Sequence, residues 1–133
     1  MPLPPSANVL VLIHDALQRD LLTLALKRHQ LTPVAVDPQN GLATDFERTA
    51  PQAMIIDLHL PGTNSLELIR QLRQGGKLTR CGVMVISSMG FPEIIRQAIA
   101  AGADDFIVKP VDPDALIARL LRLMERKQGS AAL

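Results

Sequence analysis

The chain has 133 residues, 14 Lys and Arg against 13 Asp and Glu, and a formal charge of +1, which suits a single domain and makes no electrostatic case for nucleic acid or an anionic membrane. Hydrophobic residues make up 47%, but Trp and Tyr are absent and only three Phe occur, so the core must be aliphatic. One cysteine, Cys81, excludes an intramolecular disulfide, fits a reducing cytoplasm and reads as a small apolar residue leading into a strand. The opening Met-Pro-Leu-Pro-Pro-Ser-Ala has no basic start before an apolar stretch, and no apolar run approaches ~18 residues, so neither a signal peptide nor a membrane span is expected.

After a Pro-rich lead over 1–8, expected to be mobile, Val9-Leu10-Val11-Leu12-Ile13 predicts a buried strand ending on His14-Asp15. Apolar positions at Leu17, Leu21, Leu24, Ala25 and Leu31, with Arg19, Asp20, Lys27 and Arg28 between them, predict a helix over about 16–30. Thr32-Pro33-Val34-Ala35-Val36 reads as a short strand, and Pro33, which has no N–H for a ladder, places it at an edge or puts Pro33 first in the strand. Asp37-Pro38 turns the chain into a weaker helix over 39–49, with Leu42 and Phe46 four apart. Met54-Ile55-Ile56-Asp57 is a second apolar run that stops on a carboxylate, before Pro61-Gly62. Short apolar runs of this kind suit strands buried on both faces.

Asn64 or Ser65 can cap a third helix through Gln74, which Gly75-Gly76 ends. Val83-Met84-Val85-Ile86 is a buried strand leading to Ser87-Ser88. A fourth helix spans 91–101, with Pro92 allowed in its first turn and Gly102 just beyond it. Asp105-Phe106-Ile107-Val108 is a last strand ending on Lys109-Pro110. Pro113 and Asp114 open a helix to about 127, and 128–133 reads as a tail or the start of a linker. One domain is therefore expected over 9–127. Among the apolar residues near the last two helices, Met89, Phe91, Ile94 and Ile95 read mostly as core, and Leu123 as a surface contact that widens the last helix's stripe.

A strand–helix order repeated five times requires a parallel sheet with right-handed crossovers and helices on both faces. All strand C-termini then meet at one edge, which gathers Asp15, Asp57, Ser87 and Lys109 although they are far apart in sequence. Two carboxylates close together suit a hard cation such as Mg²⁺. A Lys and a hydroxyl can bind the oxygens of an incoming phosphoryl group, and an aspartate attacking phosphorus gives an acyl phosphate. Taken singly, each residue has a plainer role: Asp15 as a helix cap, Ser87 as a turn hydroxyl, Lys109 as a solvated strand end.

From Val9 to about Arg126 the chain resembles the receiver domain of bacterial two-component response regulators, the CheY-like family. The resemblance is carried above all by Ile56-Asp57-Leu58-His59-Leu60-Pro61-Gly62 and Gly102-Ala103-Asp104-Asp105-Phe106-Ile107-Val108-Lys109-Pro110, with Ser87 and Lys109 following Asp57 by 30 and 52 residues. It implies a flavodoxin-like, doubly wound five-stranded parallel sheet, (βα)5, of strand order 2-1-3-4-5. It implies that Asp57 accepts a phosphoryl group from a sensor histidine kinase or phosphotransfer protein, and that Asp15, Asp57 and the main-chain carbonyl of His59 bind Mg²⁺, with Mn²⁺ as a substitute. Ser87 takes the place of the switch hydroxyl, Lys109 of the family lysine and Phe106 of the switch aromatic, with a cis Lys109-Pro110 peptide. His59 and Met89 stand where the family tunes dephosphorylation. The output would be a switched face of fourth helix, fifth strand and fifth helix, read by an effector protein or domain or by a second copy. Such a domain is a signalling phosphoacceptor that assists its own Mg²⁺-dependent phosphorylation and dephosphorylation, cytoplasmic and without contact to nucleic acid or membrane.

Two departures qualify the resemblance. The family usually carries two acids after its first strand, and His14 replaces the first; a neutral imidazole removes a negative charge from the metal site, or joins His59 as a ligand for a transition metal. Asn64-Ser65 replace the usual Asp-Gly, and Ser65 lacks glycine's freedom at positive φ. A haloacid-dehalogenase-type phosphatase would need an acid where His59 stands, and an FMN carrier would need small donors in place of His14-Asp15-Ala16-Leu17. The remaining alternative is a pseudo-receiver, an interaction module of this fold that phosphate no longer switches. The stretch ends just after its fifth helix, which suits either a free-standing regulator or the front of a longer protein.

Overall fold

The computed structural model describes residues 7–40 and 42–131. In chain order these form β1 (Asn8–Leu12), α1 (Ala16–Arg28), β2 (Thr32–Ala35), α2 (Leu42–Thr49), β3 (Ala53–Asp57), β4 (His59–Leu60), β5 (Thr63–Asn64), α3 (Ser65–Gln74), β6 (Gly82–Ser87), α4 (Pro92–Ala101), β7 (Asp105–Val108) and α5 (Pro113–Ala131). Five strands make one parallel sheet in the order β2-β1-β3-β6-β7. Counting sheet strands alone, this is the 2-1-3-4-5 order expected. The additional strands β4 and β5 are a small antiparallel hairpin in the loop after Asp57.

Every residue of β3 and β6 is buried, as unbroken apolar runs dictate for central parallel strands. Alternation along the strands divides the core. Leu10, Leu12, Met54, Ile56, Val83 and Val85 face α2, α3 and α4 through Phe46, Ile69, Leu72 and Ala98. Val9, Val11, Ile55, Met84 and Ile86 face α1 and α5 through Leu22, Leu26, Leu116, Ile117 and Leu120. Edge strand β2 carries Pro33, which pairs only in register with Val9. Cys81 is buried and free, leading into β6.

Packing is notable on one helix and departs from expectation at two other places. The inward face of α1 is Leu22, Ala25 and Leu26, whereas Leu17, Leu21 and Leu24 are 68%, 48% and 59% exposed. Leucines occupy more than one row of this helix, and the chain's exit from β1 through Asp15 sets which row meets the sheet. Leu123 is buried at 2% rather than a surface contact, because Gly82 opens β6 without a side chain and Leu123 fills the gap: a Cβ on Gly82 would lie 2.6 Å from Leu123 Cγ. Conversely, Met89 and Phe91 are exposed rather than core, Phe91 at 64%, while Ile94 and Ile95 pack partly buried against the sheet.

Helix ends differ at four places. α1 stops at Arg28, α2 begins at Leu42, three residues late, α4 begins at Pro92 with Phe91 as its N-cap, and α5 continues past 127 to Ala131. The last follows from a run without Pro in which Lys127 and Gln128 reach back to the carbonyls of Leu78 and Arg80, anchoring a turn that composition alone marked as tail. The strand starts at Asn8, inside the stretch assigned to the lead; residues 1–6 and 132–133 lie outside the described residues.

Candidate functional site

Asp57 closes β3, one position before the backbone leaves the ladder, where the Leu58 N–H donates to the Ile86 carbonyl at 2.9 Å. Its side chain is 5% exposed. A buried carboxylate needs partners, and each oxygen has one. Lys109 Nζ lies 2.8 Å from Oδ1, and the His14 main-chain N–H donates to Oδ2 at 3.1 Å. The lysine arrives from the end of β7, which β6 separates from β3. Its own N–H donates to the Ser87 carbonyl at 2.8 Å, and the Lys109-Pro110 peptide is cis.

Ser87 ends β6 fully buried, and its Oγ accepts from the Met89 N–H at 3.0 Å. Phe106 is buried against the core on the α4 side. Asp15 is the N-cap of α1, its Oδ2 accepting from Gln18 N–H at 3.1 Å. The plain reading of Asp15 as a cap therefore holds, and the cap places the residue at the same sheet edge as Asp57. His14 and His59 are exposed. Among the described residues no group of three or more His, Cys, Asp and Glu side chains is assembled around a common point.

Of the two candidate caps for α3, Asn64 is the one used, its Oδ1 accepting from Glu67 N–H at 3.1 Å; the contacts that follow were not foreseen. That choice of cap frees the Ser65 hydroxyl, which donates to the Asp57 main-chain carbonyl at 2.7 Å with both residues buried. Gln39 Nε2 donates to the Pro61 carbonyl at 3.2 Å and covers Gly62, whose φ of +69° a side chain would strain. The His14 N–H is a backbone donor, invisible to any reading of residue types. Ser65 did carry a signal, since a hydroxyl stood where glycine was expected.

Residues 9–121 match the response regulator receiver domain family. The PhoB phosphate regulon regulator of Escherichia coli is 25% identical over 90% of this chain and 52% of its own length, and the SphR alkaline phosphatase synthesis regulator of Synechococcus elongatus is 29% identical over 96% and 52%. The chain thus spans about half the length of these curated relatives. Among solved structures, a signal receiver domain from Bermanella marisrubri superposes with a TM-score of 0.77 at 28% identity, over 89% of this chain and 98% of its own. A Thermotoga maritima response regulator gives 0.79 at 23% identity over 90% and 98%. A response regulator receiver domain is a signalling domain. The chain belongs to the response regulator receiver domain family. No described helix is long and apolar enough to cross a membrane.

Proposed function

We propose that this chain is a phosphoacceptor that takes a phosphoryl group on Asp57 from a phosphohistidine of a sensor kinase or phosphotransfer protein and passes the signal to an effector. The observation that carries the reading is the buried Asp57 carboxylate at the ligand-binding edge of the sheet with the Lys109 ammonium 2.8 Å away. On transfer, a P–O bond forms to an Asp57 oxygen as the donor's P–N bond breaks, the nitrogen keeping the electron pair. Lys109 moves its charge from the carboxylate to the phosphoryl oxygens, where negative charge lies in the transition state.

Mg²⁺ accepts one or two carboxylates with waters and phosphoryl oxygens completing its shell. Asp15, Asp57 and the His59 carbonyl fit that pattern: Asp15 spends only Oδ2 on its cap, and Asp57 Oδ2 is held by a neutral N–H rather than an ion pair. When bound, the cation neutralises charge on the phosphoryl oxygens. His14 leaves the metal one acid fewer than the family pattern supplies.

Ser87 relays the event by giving up the Met89 N–H for a phosphoryl oxygen. Phe106 is already inward, so the change falls on residues 88–91, where Met89 and Phe91 are exposed, and on the exposed Val108 of β7, and passes from there to the face of α4, β7 and α5. On the other side, Leu17, Leu21 and Leu24 run along α1 directly from the Asp15 cap. A protein that brings its phosphohistidine to Asp57 covers this stripe.

Acetyl phosphate or beryllofluoride with Mg²⁺ tests the reading. Wild type gains one phosphoryl group by mass, or shifts its NMR spectrum around residue 57 with the fluoride, and Asp57→Asn does neither. His14 favours the second reading, a phosphate-independent interaction module, and an inert wild type would select it.

A further inference from the structure

We infer that Ser65 is a positioning residue for Asp57 that offsets the acid lost at position 14, an inference that rests on the phosphoacceptor reading. The Ser65 hydroxyl donates to the Asp57 carbonyl at 2.7 Å across eight residues, and the bond is buried. Ser65 is the first residue of α3, and Asn64 already caps that helix, so the hydroxyl is not needed to start it. Its effect is to close the neck of the loop 58–64, joining the end of β3 to the head of a helix packed on the sheet through Ile69 and Leu72. The β4–β5 hairpin braces the loop inside this neck. Gln39 holds its far end through the Pro61 carbonyl.

Two groups important to the proposed chemistry depend on the neck. One is the Asp57 carboxylate, whose place between Lys109 Nζ and the His14 N–H is set by the backbone that Ser65 holds. The other is the His59 carbonyl, two residues into the loop. Glycine at 65 would leave the neck open, with only the β4–β5 pairing and Gln39 to hold the loop. Where a second acid attracts the cation by charge, a loosely held carbonyl is tolerable; with His14 in that acid's place, the cation relies on donors held in position beforehand.

Ser65→Ala and Ser65→Gly are compared with wild type, each alone and with His14→Asp, by rate of phosphorylation from acetyl phosphate, Mg²⁺ affinity by NMR titration, and melting temperature. Expected are a loss on the order of tenfold in rate and a weaker Mg²⁺ affinity in both single variants, restored to within a few-fold when His14→Asp is added, whereas the melting temperature is not restored by the added acid. Ser65→Thr, which keeps the hydroxyl, stays near wild type in rate. A phosphorylated wild type with Ser65 variants of unchanged rate and affinity overturns this inference alone. So does a loss that His14→Asp leaves untouched, since that marks a purely structural role. A wild type that is never modified overturns the phosphoacceptor reading and this inference with it.

Discussion

Lys109 Nζ meets Asp57 Oδ1 at 2.8 Å across an intervening strand, so the charge balance of the site depends on three strands keeping their register. The ammonium is the counter-charge of a carboxylate almost wholly removed from water. Lys109→Met should lower the rate of phosphorylation about 100-fold, the scale of removing one electrostatic partner of a transition state. It should also cost about 1–3 kcal/mol of stability, since one carboxylate oxygen loses its partner while the lysine end of the pair is partly solvated. Single-turnover kinetics and urea titration read the two separately.

If the exposed stripe on α1 is the docking surface proposed above, it should separate protein donors from small ones. Leu21→Glu should leave phosphorylation by acetyl phosphate unchanged and lower transfer from a phosphorylated kinase or phosphotransfer protein at least tenfold, with stability within about 0.5 kcal/mol of wild type. Equal effects on both donors would remove α1 from the docking surface.

Leu123 and Phe91 exchange the roles expected from spacing. Leu123→Ala empties the space over Gly82 and should cost about 2–4 kcal/mol. Phe91→Ala should change stability by no more than about 0.5 kcal/mol, while weakening any effector that reads the α4–β7–α5 face. Chemical denaturation of the two variants side by side decides the assignment.

Burial pushes the Cys81 thiol up from 9.0 to about 12, with Lys127 pulling it down and Asp104 adding to the rise. The unfolded chain releases this proton near pH 9 while the folded chain keeps it. The stability it contributes is therefore complete below pH 9 and is lost as the pH climbs toward 12. Urea midpoints at pH 8 and about pH 10 should fall further for wild type than for Cys81→Ala, and thiol reagents should modify Cys81 only on unfolding.

The fold was legible because its central strands leave little choice: Ile55-Ile56 and Val83-Met84-Val85-Ile86 have no polar alternation and suit only a parallel sheet covered on both sides. The acid, hydroxyl and lysine were legible for a related reason, since parallel strands bring their ends together whatever the loops do. Which row of a leucine-rich helix turns inward was not legible, because α1 offers more than one and a backbone exit angle selects among them. Leu123 misled because its partner is a missing side chain, at Gly82. The contacts that finish the site, from the His14 N–H and from Ser65 to a carbonyl, involve main-chain atoms that every residue possesses, so residue type alone does not announce them.

Gln39 follows β2, the sheet's outer and least buried strand, yet its amide grips the loop that leaves Asp57. The margin of the sheet and its chemical centre therefore share a fastening. Warming that frays β2 releases Pro61 before the central strands yield, so the proposed phosphorylation of Asp57 should fade at a lower temperature than the fold itself, with the edge strand setting that limit.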